Sequence, residues 1–229
     1  MRQYAMSSWI LISAVIAPAL FWLAYFYYKD RFQPEPFRSI ALAFCLGVAA
    51  AFLCQGFLTL FTSFGIHISY ISLAEGNRLQ FLLYSILING YIEELFKFLP
   101  FILILLRFKS FDEDTDGIIY ASSIALGFAS FENIGYLPHL EGLELFGRAF
   151  ASPLTHTIFA SIWGYPVGKA FLAGRSLWKT ALWALAAAAL CHGFFNFFTM
   201  SSSLRILSSL LILGVWIWRI RELEKYYPK

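Results

Sequence analysis

Charge is what this sequence lacks most. Asp, Glu, Lys and Arg make up 14% of its 229 residues, where a soluble domain carries about a quarter. No run of lysines and arginines is long enough for a nucleic-acid footprint, which excludes that class of partner. The three cysteines, Cys45, Cys54 and Cys191, lie in separate apolar segments. Their spacing fits neither a zinc ribbon nor a disulfide framework, and buried inert thiols are expected. The strict alternation of a transmembrane barrel strand is missing. So are a G-x-S-x-G elbow, an HExxH metal helix and an internal repeat. No polar stretch is long enough to form a soluble domain.

Apolar residues fill the space instead. They reach 59%, with 25 Phe, 12 Tyr and 7 Trp, and the mean hydropathy is +0.67. So much apolar surface exceeds what a water-soluble core can hide behind so few charges. The runs fall at 7–28, 38–64, 80–106, 117–138, 149–168, 178–200 and 204–218. Most approach the ~20 residues that cross the hydrocarbon layer as a helix. The first is too long for the apolar part of a cleaved signal peptide. The expected fold class is therefore all-α: one polytopic transmembrane helix bundle of about seven spans over residues 1–229, in the cell membrane. Segment 65–78 reads either as a loop or as a shallow interfacial helix. The acidic stretch Asp112 to Asp116 reads as a solvated face.

Lysine and arginine set the orientation. Twelve fall in the first, third and fifth connections and the C-terminal tail. Arg2, Arg78, Arg148 and Arg205 fall on the other side. The positive-inside rule then puts the N-terminus outside and the C-terminus in the cytoplasm. Trp216, Trp218, Tyr226 and Tyr227 read as anchors at the inner interface.

The informative residues are those that hydrocarbon should forbid. The third span carries Glu93, Glu94 and Lys97. Glu93 and Lys97 share a helix face, and Glu94 projects about 100° away toward a different partner. The fourth span carries Glu132 and Asn133, the fifth His156, and the sixth His192 with Asn196 one turn on. At 1.5 Å per residue, Glu132, His156 and His192 fall about 9–10 Å below the outer ends of their spans. Glu93 falls about 15–20 Å deep. Four antiparallel spans are thus expected to enclose a polar pocket in the outer half of the membrane.

Two histidines with carboxylates suit Zn²⁺, with Glu93, Glu132, His156 and His192 as candidate ligands. A further glutamate would take the proton of a water, Glu93 and Glu94 being the candidates. Asn196 would serve an oxyanion or orient His192. Lys97 would offset the negative charge. A metal-free water activated by glutamate and histidine fits the same residues. So do a proton-coupled transporter and, with the charges as packing pairs, a nonenzymatic scaffold.

In order along the chain stand Tyr27-Tyr28-Lys29-Asp30, an EExxK at Glu93–Lys97, an FxxxEN ending at Asn133, His156 with Ser161 five residues on, and an HxxxN at His192–Asn196. In these the chain resembles the PrsW family of bacterial intramembrane proteases across roughly residues 20–200. It is more distantly similar to the type II CAAX prenyl endopeptidases. The resemblance implies a membrane-embedded peptidase with its core at about 80–200, Glu93 and Glu94 matching the EE pair, Glu132 the EN glutamate, and His156 and His192 the two histidines. It implies a membrane-anchored protein substrate, with an anti-sigma factor cut at site 1 on the extracytoplasmic side as the candidate. Ser161 receives no role.

Overall fold

A backbone surrounded by hydrocarbon must satisfy its own hydrogen bonds, and a helix does so within one segment. The computed structural model describes residues 7–31, 33–64, 70–201 and 203–224, and every apolar run in it is helical. The elements are α1 (Ser8–Lys29), α2 (Phe37–Ser63), α3 (Tyr70–Glu75), α4 (Arg78–Tyr84), a π-helical segment (Ser85–Ile92) and α5 (Glu93–Arg107). Next come α6 (Asp116–Tyr136), a single 3₁₀ turn (Leu137–His139), α7 (Gly142–Leu172), α8 (Leu177–Met200) and α9 (Arg205–Glu224). Local chemistry marks the starts. Ser7 caps α1 by accepting from Ile10 N–H, and Asn77 caps α4 by accepting from Leu79 and Gln80 N–H. Side-chain oxygens in these positions satisfy donors that a helix leaves open at its first turn.

α6 is the central helix. It packs against α2 on one side and α7 on the other, and it is buried almost continuously from Asp116 to Ser130. The apolar core joins Phe98 and Phe101 of α5, Tyr120 and Ile124 of α6, Phe159 and Trp163 of α7, and the alanines 181, 184 and 188 of α8. Outward-facing side chains are large and apolar, including Phe52, Leu53, Leu182 and Trp178. Such a surface suits lipid rather than water.

Three helices, Ser8–Lys29, Phe37–Phe61 and Leu177–Met200, are long and apolar enough by length and composition to cross a membrane. The helices that carry Glu93, Glu94, Lys97, Glu132 and His156 fall outside that group, and Leu177–Met200 carries His192. The chain is thus a multi-pass, all-helical membrane bundle. Residues 65–69 and the pair Tyr226-Tyr227 lie outside the described residues, and the rest of segment 65–78 contains the short helix α3. Cys54 is buried as expected, whereas Cys45 is exposed on the outer surface of α2. An apolar segment in a membrane protein has a lipid face as well as a core face, so apolarity alone does not imply burial.

The third apolar run is one rod made of α4, the π-helical segment and α5. Its π-helical part touches α8 backbone to backbone. A Cβ on Gly90 would overlap the carbonyl oxygen of Ala189, and one on Gly193 would lie 2.5 Å from Ile86 Cα. Only glycine allows that approach. It sets Glu93 and Glu94, just past the π-helical segment, beside His192, the neighbour of Gly193. Insertions of this kind re-aim the side chains that come after them and are frequent at functional sites.

Candidate active site

Four helices bring the embedded polar residues together. α5 supplies Glu93, Glu94 and Lys97, α7 supplies His156, and α8 supplies His192. One ligand atom each from Glu93, His156 and His192 lies within 4.8 Å of the others. Glu132 arrives from α6, with its Oε2 3.0 Å from His156 Nε2.

Glu94 is the anchor of this group. It is fully buried, and its two oxygens accept from three neighbours. Oε1 lies 2.7 Å from Lys97 Nζ and 2.9 Å from His192 Nδ1, and Oε2 takes Trp163 Nε1–H at 2.8 Å. With Nδ1–H donated to Glu94, His192 presents the lone pair of Nε2 toward Glu93, 3.8 Å from Glu93 Oε2. A carboxylate behind an imidazole is how a ligating histidine is commonly held. Lys97 is also fully buried. It donates to Glu94 and contacts His156 Nδ1 at 2.8 Å. Lys97 Nζ further stands 4.5 Å above the Phe128 ring, a favourable cation–π position.

The remaining carboxylates are differently placed. Glu93 Oε2 is buried and has no hydrogen-bond partner, and the same holds for Glu132 Oε2. The short approach of His156 to Glu132 is therefore a charge contact without aligned hydrogen-bond geometry. Arg148 adds a second contact to Glu132 Oε2 at 3.3 Å and donates from Nε to Asn133 Oδ1. Its guanidinium stacks on Tyr136. Both glutamates border a cavity of 350 Å³ that also meets Cys54, Gln55, Phe128 and Phe131. The Glu93 carboxylate, whose buried Oε2 has no hydrogen-bond partner, and the imidazoles of His156 and His192 within 4.8 Å are a donor set that fits Zn²⁺.

The chain matches the family described as PrsW family intramembrane metalloprotease over residues 35–219. It is 35% identical to the protease PrsW of Oceanobacillus iheyensis over 218 residues, which cover 94% of this chain and 95% of that one. It is 31% identical to the protease PrsW of Bacillus subtilis over 217 residues, 94% of each chain. The chain belongs to the PrsW family. No solved structure matches it. As a PrsW protein it is a membrane-embedded peptidase with a metalloprotease-like cluster.

Among the residues singled out in the sequence, Glu93, Glu94, Lys97, Glu132, His156 and His192 converge. Glu93 comes within 4.8 Å of both histidines, and it stands directly after the π-helical segment. The Glu93–Lys97 pair forms at 3.8 Å, but the tighter partner of Lys97 is Glu94. Asn196 stands one turn after His192 on α8 and makes no hydrogen bond to this cluster among the described residues. Two participants carried no signal read as chemistry. Trp163 sits in an apolar stretch where packing is the ordinary role, and Arg148 counted only as a charge at a span end. A tryptophan one or two turns from an embedded histidine, and an arginine within reach of an embedded glutamate, were the available clues.

Proposed function

We propose that this PrsW protein hydrolyses a peptide bond of a membrane-anchored protein, with Glu93, His156 and His192 holding one Zn²⁺ and Glu132 taking the proton of the attacking water. The observation that carries this reading is the convergence of those three ligand atoms beside a cavity lined by Glu93 and Glu132. Zn²⁺ there would supply Lewis-acid polarisation of the scissile carbonyl and of the water. Glu132 is the fitting base because it borders the cavity, while Arg148 offsets its charge. Glu94 has spent its lone pairs on Lys97, His192 and Trp163. It orients His192 rather than meeting water. Glu132 also stands close enough to His156 to serve as a further ligand. Asn196 is the proposed donor to the developing oxyanion.

Every proposed group lies within residues 80–200, the catalytic core of a single peptidase domain. The charge bias supports seven spans with the N-terminus outside, which puts the cluster in the outer half of the bilayer. The family resemblance points to an anti-sigma factor cut on that side. Reporter fusions at the two termini check the topology.

One contact favours a second reading. A lysine ammonium donating to His156 Nδ1 leaves the imidazole proton on Nε2, toward Glu132. A metal at Nε2 requires that proton to leave, whereas a metal-free glutamate–histidine mechanism uses the arrangement as it stands. Metal analysis of the purified protein, with cleavage of a single-span membrane substrate followed in proteoliposomes, separates the two. About one zinc per chain, lost together with cleavage on chelation, supports the first. Full cleavage without bound metal supports the second. No cleavage in either state overturns both.

A further inference from the structure

A second polar cluster occupies the other end of α6. Asp30 and Glu35 belong to the α1–α2 connection, Asp112 and Glu113 to the α5–α6 connection, and Asp116 opens α6. The solvated face expected for 112–116 forms only in part: Asp112 is exposed, whereas Asp116 turns inward. Asp116 is 1% exposed, and Asp30 and Glu35 are each 4% exposed. Asp116 is also held in place. A Cβ on the next residue, Gly117, would overlap the carbonyl oxygen of Gly164. α6 and α7 are therefore in backbone contact, and Asp116 cannot turn to water without parting them.

Hydrogen bonds satisfy only part of this group. Asp116 Oδ2 accepts from Asp112 and Glu113 N–H at 2.8 and 2.7 Å. Asp30 Oδ2 accepts from Glu35 N–H, and Glu35 Oε2 accepts from the Tyr120 hydroxyl. Among the described residues no lysine, arginine or histidine forms an ion pair with Asp30, Glu35, Asp112 or Asp116, and the ion pair of Lys169 is with Asp114. A separate observation points to a ligand. Asp116 Oδ1 is buried and has no hydrogen-bond partner. One carboxylate oxygen each from Glu35, Asp112 and Asp116 lies within 4.8 Å of the others. Several buried carboxylates without a counter-charge are costly, by several kcal/mol each.

We propose that Glu35, Asp112 and Asp116 bind one hard divalent cation of the Mg²⁺ or Mn²⁺ class, which ties the α1–α2 connection to the α5–α6 connection. An all-oxygen set with one member open to water suits such ions, which keep part of their hydration, and does not suit zinc. The site is distinct from the catalytic cluster. Asp116 and Glu132 lie sixteen residues apart on α6, about 24 Å at 1.5 Å per residue. Its role is structural: it fixes the start of the helix whose far end carries Glu132.

The test uses full-length protein in detergent, stripped with chelator and then saturated with Zn²⁺, and follows Mn²⁺ by electron paramagnetic resonance. One Mn²⁺ per chain is expected. At a hundredfold excess over its dissociation constant, Mn²⁺ or Mg²⁺ raises the melting temperature by about 5 °C or more. Glu35→Gln and Asp116→Asn each weaken Mn²⁺ binding at least about tenfold and remove the shift. Asp114→Asn, which removes the ion-pair partner of Lys169, leaves binding within about twofold. Both weakening variants lose a buried charge and keep their shape, so they fold without the ion. Absence of Mn²⁺ binding at millimolar concentration overturns the proposal. So does binding unchanged in Glu35→Gln and Asp116→Asn. A melting temperature that rises on acidification to about pH 5 and ignores the cations also overturns it, since shared protons would then hold the carboxylates together.

Discussion

At one end of α6, Glu132 stands among Arg148 and His156, with Glu93, Glu94, Lys97 and His192 closing the group from α5 and α8. At the other end, Asp116 stands among Asp30, Glu35 and Asp112, all acidic. The first cluster carries charges of both signs, and Glu94 and Lys97 compensate each other at full burial. It keeps its shape with its own side chains, and its Glu93 and Glu132 carboxylates border a cavity. Among the described residues the second has no such ion-pair partner, and the proposed cation would supply its positive charge. On the proposed readings, burying carboxylates serves chemistry at one end and assembly at the other.

The contrast breaks first at the catalytic end. His192→Ala and Glu93→Gln are expected to lower cleavage at least about 10³-fold. Both variants should keep their circular dichroism and elution volume. Cleavage within about tenfold of the parent would remove these residues from the site. Next in size, Lys97→Met leaves the Glu94 carboxylate buried without its cation, which costs about 3–5 kcal/mol. Lys97→Met with Glu94→Gln should recover most of that loss in melting temperature, because no isolated charge remains. Trp163→Phe removes one donor from Glu94. It should cost about 1–3 kcal/mol and weaken metal binding about tenfold or more through a misheld His192. Metal affinity unchanged in Trp163→Phe would reduce Trp163 to packing. The smallest effect is expected for Asp114→Asn. Its pair with Lys169 is partly exposed, and pairs of that kind contribute about 0–1 kcal/mol. A larger loss would mean that the acidic end depends on Lys169 as well as on an ion.

Much of this architecture was legible in the sequence. Apolar runs at 7–28, 38–64 and 178–200 become helices at Ser8–Lys29, Phe37–Ser63 and Leu177–Met200. Hydropathy reports the length of a helix in lipid directly. The site residues were legible because each is expensive where it stands, and expense marks a residue without any knowledge of its neighbours. Partners were harder to see. The 100° step between Glu93 and Glu94 holds, since both stand in the α-helix α5, but their partners His192 and Trp163 come from other helices and could not be read from it. Trp163 donates a hydrogen bond from a stretch that reads as pure packing. The acidic loop read as solvated because a row of polar residues usually is, whereas Gly117 against Gly164 draws Asp116 into the bundle. Such contacts join elements far apart in the chain, and no local pattern carries them.

The metal-dependent reading of the peptidase stands or falls on whether Glu93, His156 and His192 hold zinc. Zinc content and cleavage, measured on the same preparations of the parent and His156→Ala, reach that point most directly. The parent is expected to hold about one zinc per chain. The folded variant is expected to keep less than about a tenth of both the zinc and the cleavage. Cleavage that persists in metal-free parent protein, or zinc that stays bound in full to His156→Ala, would contradict the assignment.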